Sequence, residues 1–483
     1  MIVIFLLFII YFINFISIIV NIGNPLLIIP GFSIIGLLSI LIYIFILLIV
    51  VIRPALYFLF LPFIILAFPS VINNFFPSYY LGPIDERGAS AFSFITHIDI
   101  YLMYGLIVFK QDKTNKLKLY GTSYKYNILG VLIVSILFIY TIITTLGSKT
   151  GDALALFAIG NYQIRYILYL TLFYYKFNID LKKLNYIIYG LCLSVVFLFI
   201  ESLIFTFVNG HSRLSSGSLG NNVYANIIAA IGFLFSLLLI YYKKIYSFMK
   251  VKKTVLFISF TICMIIVFLT GTRISLLSLT IASILLFILS TLKDRKINYK
   301  YIVGLCSMML IITVFVFNSE RYRSILDIVS KGDIAQQIVS ANPEEQYDKF
   351  TSSLYSRYIM AIVSLDMFKD NISFGIGIGR WNKMKYDYGW ENRVLLDPHN
   401  DFLSYISQYG ILGILLLFIV YIFPILKFIN IRYNPYCIFG AIPFVLFFSS
   451  FTNSNTLKHQ IFAITILCIV IICNHTNYIE END

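Results

Sequence analysis

Charge is what this sequence has least of. Asp, Glu, Lys and Arg make up 12% of its 483 residues, about half the share of an ordinary soluble domain. Apolar side chains make up 59%, and the mean hydropathy is +0.88. There is too little polar surface to cover a water-soluble fold of this length. That excludes a cytosolic enzyme, a nucleic-acid-binding domain and a secreted disulfide scaffold. Cysteine is sparse as well. The six, at 192, 263, 306, 437, 468 and 473, lie in apolar runs and form no CxxC pair. Neither a disulfide framework nor a zinc-ligand spacing follows from them. Walker, HExxH and nucleophile-elbow motifs are missing too. What is left is an all-α polytopic membrane protein.

A helix crossing about 30 Å of hydrocarbon needs roughly 20 apolar residues. Runs of that kind fall near 2–20, 32–52, 54–72, 92–109, 126–146, 153–175, 184–208, 222–242, 254–270, 274–292, 301–317, 402–426, 435–452 and 459–474. The second and third can also be read as one broken hairpin, so the expectation is about 12–14 transmembrane helices. Barrel strands would instead alternate over about ten residues. The first run lacks a basic flank and a small-residue cleavage site, so it reads as a retained span.

Lys and Arg set the orientation. With the N-terminus inside and strict alternation, the inner connections hold twenty basic residues and the short outer ones five: Arg87, Lys149, Arg213, Arg273 and Lys458. Both termini are then expected on the cytoplasmic side. One connection, 318–401, is about 84 residues long, polar and on the outer face. Long loops translocate largely regardless of charge, and a loop of this length is usually functional. The expected divisions are N-terminal helices over 1–204, helices with outer-face arginine motifs over 205–317, the extracytoplasmic loop over 318–401 and C-terminal helices over 402–483. Inside the loop, Ser356–Asp370 has helical spacing, with Ile359, Ile362, Val363 and Met367 on one side. It suits a helix lying flat at the interface.

Few polar residues at the outer face invite chemistry. Arg213 precedes a span, and Arg273 sits in the tight turn TGTR between two spans. Each reads either as an interfacial anchor or as half of a guanidinium pair gripping a phosphate or pyrophosphate. His399 lies where the long loop returns to the membrane, beside Asp397, Asn400 and Asp401. It reads as a general base or as a surface histidine, with Asn400 or Asp401 capping the next helix. Arg165 falls mid-span, where a charge requires a partner or a cavity, and Asp99 and Glu201 are acids at a similar outer depth. The glycine run GIGIGRW (375–381) has no strand–helix frame for a nucleotide and reads as a turn that lets backbones pack closely.

The run SRYIMAIVSLDMFKDNISFGIGIGRW, followed by DPHNDFLSYISQYGILGILLLF, resembles the core pattern of the O-antigen ligase and polymerase family. A Ser-Arg start leads into a helix, an NxxFGxGxG turn and then HNxxLxxxxxxGxxG entering a span. Upstream, Arg213 with Gly220, Asn221 and Asn226, and the TGTR turn, fit as well. The likeness covers about 205–425. It implies a membrane glycosyltransferase of GT-C-like architecture with one long extracytoplasmic loop. Such proteins take a glycan from an undecaprenyl-diphosphate carrier to an acceptor hydroxyl on the outer side of the inner membrane, without nucleotide, metal or other cofactor. By the likeness His399 is the catalytic residue, Arg213 and Arg273 bind the diphosphate, and Arg357 is the loop arginine. Implied partners are the lipid-linked donor, a glycan acceptor, the bilayer and a chain-length regulator.

Three functions compete. A polymerase joins lipid-linked repeat units into O-antigen or capsule. A ligase moves finished glycan to an acceptor, and for a lipid A acceptor needs an outer membrane, so the wider occurrence of repeat-unit polymers favours the polymerase. A lipid-linked oligosaccharide flippase would suit the span count. Transporters, however, are commonly built from repeated halves, and no such repeat is visible here.

Overall fold

The computed structural model describes residues 34–67, 97–108, 165–294, 349–389, 397–453 and 459–474, apart from short breaks inside those ranges. The expected spans near 2–20, 126–146 and 301–317, most of 153–175, loop residues 318–348 and both termini lie outside the described residues.

Among the described residues every regular element is helical. In hydrocarbon each backbone N–H and C=O must be satisfied within its own segment, and apolar runs of this kind therefore wind up as helices. The first are α1 (Ile34–Ile52), α2 (Leu56–Leu66) and α3 (His97–Val108). Pro54 separates the first two, since its ring disfavours helix at the residue before it. The bundle continues with α4 (Leu181–Val208), α5 (Asn221–Ile240), α6 (Lys253–Thr270) and α7 (Arg273–Asp294). Then come α8 (Lys349–Asp370), α9 (Asp401–Tyr409), α10 (Ile411–Asn430, with a π turn over Phe418–Ile422), α11 (Ala441–Ser449) and α12 (His459–Cys473).

Four of these helices are long and apolar enough to cross a membrane: Leu181–Val208, Val223–Ile240, Lys253–Thr270 and Ile411–Asn430. Shorter apolar helices, Arg273–Ile288, Cys437–Ser449 and Gln460–Cys473 among them, complete the bundle. The chain is an all-α polytopic membrane protein. Helix α5 is its axis: from Tyr224 to Phe235 almost every side chain is buried, and α6, α7 and α11 pack around it.

Hydrogen bonds sort the helix ends into two groups. At one end, Asn185 Oδ1 accepts the Lys250 N–H (3.1 Å) and Tyr189 Oη accepts the Lys252 N–H (3.2 Å). Asn474 Oδ1 accepts the Ile179 N–H there as well (3.4 Å). This end gathers the starts of α4 and α6 and the end of α12. At the other, the Leu214 N–H donates to Leu269 O and the Asp401 N–H to Ser450 O, both at 3.0 Å. That end gathers the α4–α5 loop, the end of α6, the start of α9 and the end of α11.

The mid-span charge has a partner. Arg165 Nε lies 2.7 Å from Asp99 Oδ1, with both side chains buried. Nearby, Tyr57 and Tyr101 stack at 4.7 Å and exchange hydroxyl-to-carbonyl bonds of 3.2 and 3.0 Å. Of the two readings of Arg165, the ion pair is the one in the structure. Removing one member strands the other in an apolar interior, which typically costs about 3–5 kcal/mol. Asp99→Ala is expected to lower the thermal midpoint in detergent sharply. Asp99→Ala with Arg165→Met should recover much of the loss, read by the same melting curve.

Candidate functional site

The site is built at the Leu214–Ser450 end of the bundle. Arg213 is exposed in the α4–α5 loop. Its neighbour Leu214 is bonded to Leu269, and the Ser215 N–H donates to Thr206 Oγ1 (2.9 Å), so the loop is tied to α4 and α6. Four residues after Leu269 comes Arg273, the first residue of α7 and partly exposed. Gly271 makes the intervening turn with φ +61, and its N–H donates to Phe268 O (3.1 Å). A left-handed residue after a helix is a glycine position. One turn into α7, Ser275 Oγ donates to Asn226 Oδ1 at 2.6 Å in a buried contact. That bond fixes the start of α7 against α5. The TGTR turn and the Arg213 loop therefore share one corner of the bundle. The positive end of the α7 macrodipole adds to the attraction for an anion there.

His399 stands on a separate support at the same end. Its backbone is left-handed, φ +48, uncommon for a residue with a Cβ. Asp397 holds it: Asp397 Oδ1 accepts the His399 N–H (2.7 Å) and lies 3.3 Å from Nδ1. Nδ1 of the ring is thereby turned to Asp397. Asn400 caps α9, its Oδ1 accepting the Leu403 N–H (3.1 Å), while its Nδ2 donates to Phe451 O (2.8 Å). Asp401 is buried and accepts the Tyr421 hydroxyl (2.6 Å). The His399 segment is thus pinned to α10 and to the end of α11, and α11 packs against α7.

Arg357 is exposed in the N-terminal half of α8. The buried face of that helix carries Met360, Val363 and Met367, which pack on Ile376 and Trp381. Ile362, expected on the same side as Val363 and Met367, is 37% exposed and belongs to the opposite face. Helix packing on Trp381, invisible in a two-way apolar count, sets this rotation. The Trp381 indole N–H donates to Ser364 Oγ (2.9 Å).

The glycine run ties the loop helix to the α9–α10 junction. Gly375 (φ +66) and Gly410 (φ +61) face each other across backbone contacts. A Cβ on Gly375 would fall on the Gln408 carbonyl, and one on Gly410 on the Ile372 carbonyl. The N–H groups of Ile376, Gly377 and Ile411 donate to Ser407, Gln408 and Ile372 carbonyls at 2.8, 3.1 and 2.8 Å. The run is a backbone weld between α8 and the α9–α10 junction. Spacing did not reveal the Asn226–Ser275 and Asp401–Tyr421 bonds, because both join different helices. Among the described residues no three His, Cys, Asp or Glu side chains gather as metal ligands.

Residues 255–418 match the family model described as O-antigen ligase. The matched segment runs from α6 into α10 and includes Arg273, Arg357 and His399, while Arg213 lies upstream of it. No curated protein matches the sequence. The matched segment thus contains both the turn at the start of α7 and the glycine weld at the α9–α10 junction.

Gly410 adopts φ +61 and ψ −137, a region open essentially to glycine and costing other residues about 1–3 kcal/mol. Gly410→Ala adds the clash with the Ile372 carbonyl. It is expected to lower the thermal midpoint and expose α8 to limited proteolysis, and to do so more than Gly389→Ala, where φ is also positive (+78) but a Cβ meets open space.

Proposed function

We propose that the chain is a membrane glycosyltransferase that polymerises undecaprenyl-diphosphate-linked repeat units on the extracytoplasmic face of the inner membrane. The observation that carries this is the O-antigen ligase family match over 255–418, which takes in Arg273 and His399 at one end of a membrane bundle. The orientation is supported by the charges. Lys250, Lys252 and Lys253 sit at the opposite end from Arg213, Arg273 and His399, as the positive-inside rule requires.

The chemistry suits the residues. A diphosphate is already a good leaving group, so the reaction needs charge stabilisation on the departing oxygens and a base for the acceptor hydroxyl. Arg213 and Arg273 supply positive charge without a metal. His399 takes the acceptor proton on Nε2 as the new glycosidic bond forms, and Asp397 stabilises the resulting imidazolium. Arg357 on the loop helix reaches the donor or acceptor saccharide. Part of the rate comes from orientation, since the sugars are held between the loop and the bundle. A chain-length regulator would act on the growing polymer from outside this site.

The second reading is ligase, and the description of the matched family favours it. The same residues serve both reactions, because donor and bond chemistry are the same and only the acceptor differs.

One experiment tests both the residues and the choice. A deletion strain is complemented with the wild type, His399→Ala or Arg273→Ala, and surface glycan and lipid extracts are profiled on gels. Both variants are expected at normal protein level with transfer abolished; full activity of either removes that residue from the mechanism. Accumulated single repeat units identify a polymerase. Long polymer retained on the lipid carrier identifies a ligase.

A further inference from the structure

Helix α8 has two apolar faces, and only one is covered by protein. Met360, Val363 and Met367 are buried against Ile376 and Trp381. On the other side Tyr358, Ile362 and Leu365, spaced i, i+4 and i+7, are 48%, 37% and 41% exposed. Beyond the helix Ile372 and Phe374 continue the patch, each 54% exposed. Helix rotation cannot hide the stripe, because the opposite face is committed to Trp381 and the α8 end is bonded into the α9–α10 junction.

We propose that this outward face of α8 rests in the lipid surface, making α8 an interfacial anchor that sets the height of the site above the bilayer. The occupant follows from continuity. Ile372 O accepts the N–H of Ile411, the first residue of the membrane-crossing helix α10. Ile411, Ile414, Leu415 and Phe418 are exposed along α10, and in a membrane that surface meets acyl chains. The α8 patch therefore extends an apolar belt that is already in lipid. The flank of α8 fits the boundary. Lys369 Nζ pairs with Asp366 at 2.8 Å at the edge of the stripe, and a lysine stem lies along apolar surface while its ammonium stays in the head groups. Because α8 is welded to the junction from which α9 runs back to Asn400, the lipid contact and the position of His399 relative to the head groups are linked.

The test uses the full chain in lipid nanodiscs without any polyprenyl carrier. Nitroxide labels are placed by Ile362→Cys, Leu365→Cys and, as a third site on the stripe, Tyr358→Cys. Phe418→Cys serves as the lipid reference and Asp370→Cys as the water reference. The unsubstituted chain, labelled in parallel, gives the background from native thiols. Relaxation by oxygen and by a water-soluble nickel chelate is then compared. Labels on the stripe are expected to lose nickel relaxation relative to Asp370→Cys and to gain oxygen relaxation towards Phe418→Cys. Stripe labels that match Asp370→Cys overturn the proposal. That result would leave a partner protein or the polyprenyl chain itself as the occupant. The readout does not pass through catalysis, so it stands or falls separately from the proposed reaction.

Discussion

Two glycines without side chains carry the geometry of this molecule's chemical end. At Gly375 and Gly410 the backbones of distant segments lie in direct contact, with no room for a Cβ on either. Through that contact the end of α8 is bonded to the junction of α9 and α10. A loop laid over a membrane protein would ordinarily be free to wander, since its polar backbone groups can be satisfied by water. Here they are satisfied by the backbone of the bundle, which gives the loop helix a fixed register. The cost is backbone conformations that only glycine accepts readily, and these are found at the weld and at the α6–α7 turn.

Buried charge is handled differently at Arg165–Asp99 and at Asp401. Arg165 and Asp99 pair with each other inside the bundle, where an unpartnered charge is costly. Asp401 is equally buried but is met by a hydroxyl, Tyr421, and by the backbone of the α11 end through its own N–H. The first arrangement spends two charges on holding helices together. The second places a carboxylate two residues from His399 and uses it to fasten the segment. Arg213, by contrast, stays exposed.

The membrane class and several helix positions were legible because hydropathy reports directly on the solvent, but the single run expected near 402–426 is broken at Gly410 into α9 and α10. Runs near 184–208, 222–242 and 254–270 coincide with α4, α5 and α6 to within a few residues. The backbone role of GIGIGRW was legible for the same kind of reason: glycines without a strand–helix frame leave close packing as their physical use. The rotation of α8 was not legible. Apolar residues occur on both sides of it, and periodicity alone cannot tell protein contact from lipid contact. Only the position of Trp381 decides that Met360 faces in and Ile362 faces out. Long-range bonds were hidden too. Ser275 and Asn226 look like ordinary small polar residues in apolar runs until their helices are placed side by side.

That last bond shows how a membrane bundle can orient a cation at its edge. Arg273 opens α7, and a helix start exposed to water would ordinarily fray. The Ser275–Asn226 bond lies in the first turn, in an apolar interior where breaking it leaves two polar groups unsatisfied. It therefore resists opening more than the same bond would at a surface. The α5 axis, buried along nearly its whole length, supplies a rigid partner on the other side. His399 obtains the same steadiness from Asp397, Asn400 and the end of α11. The two supports meet because α7 and α11 pack together beside α5, so the separation of Arg273 and His399 is set by the bundle.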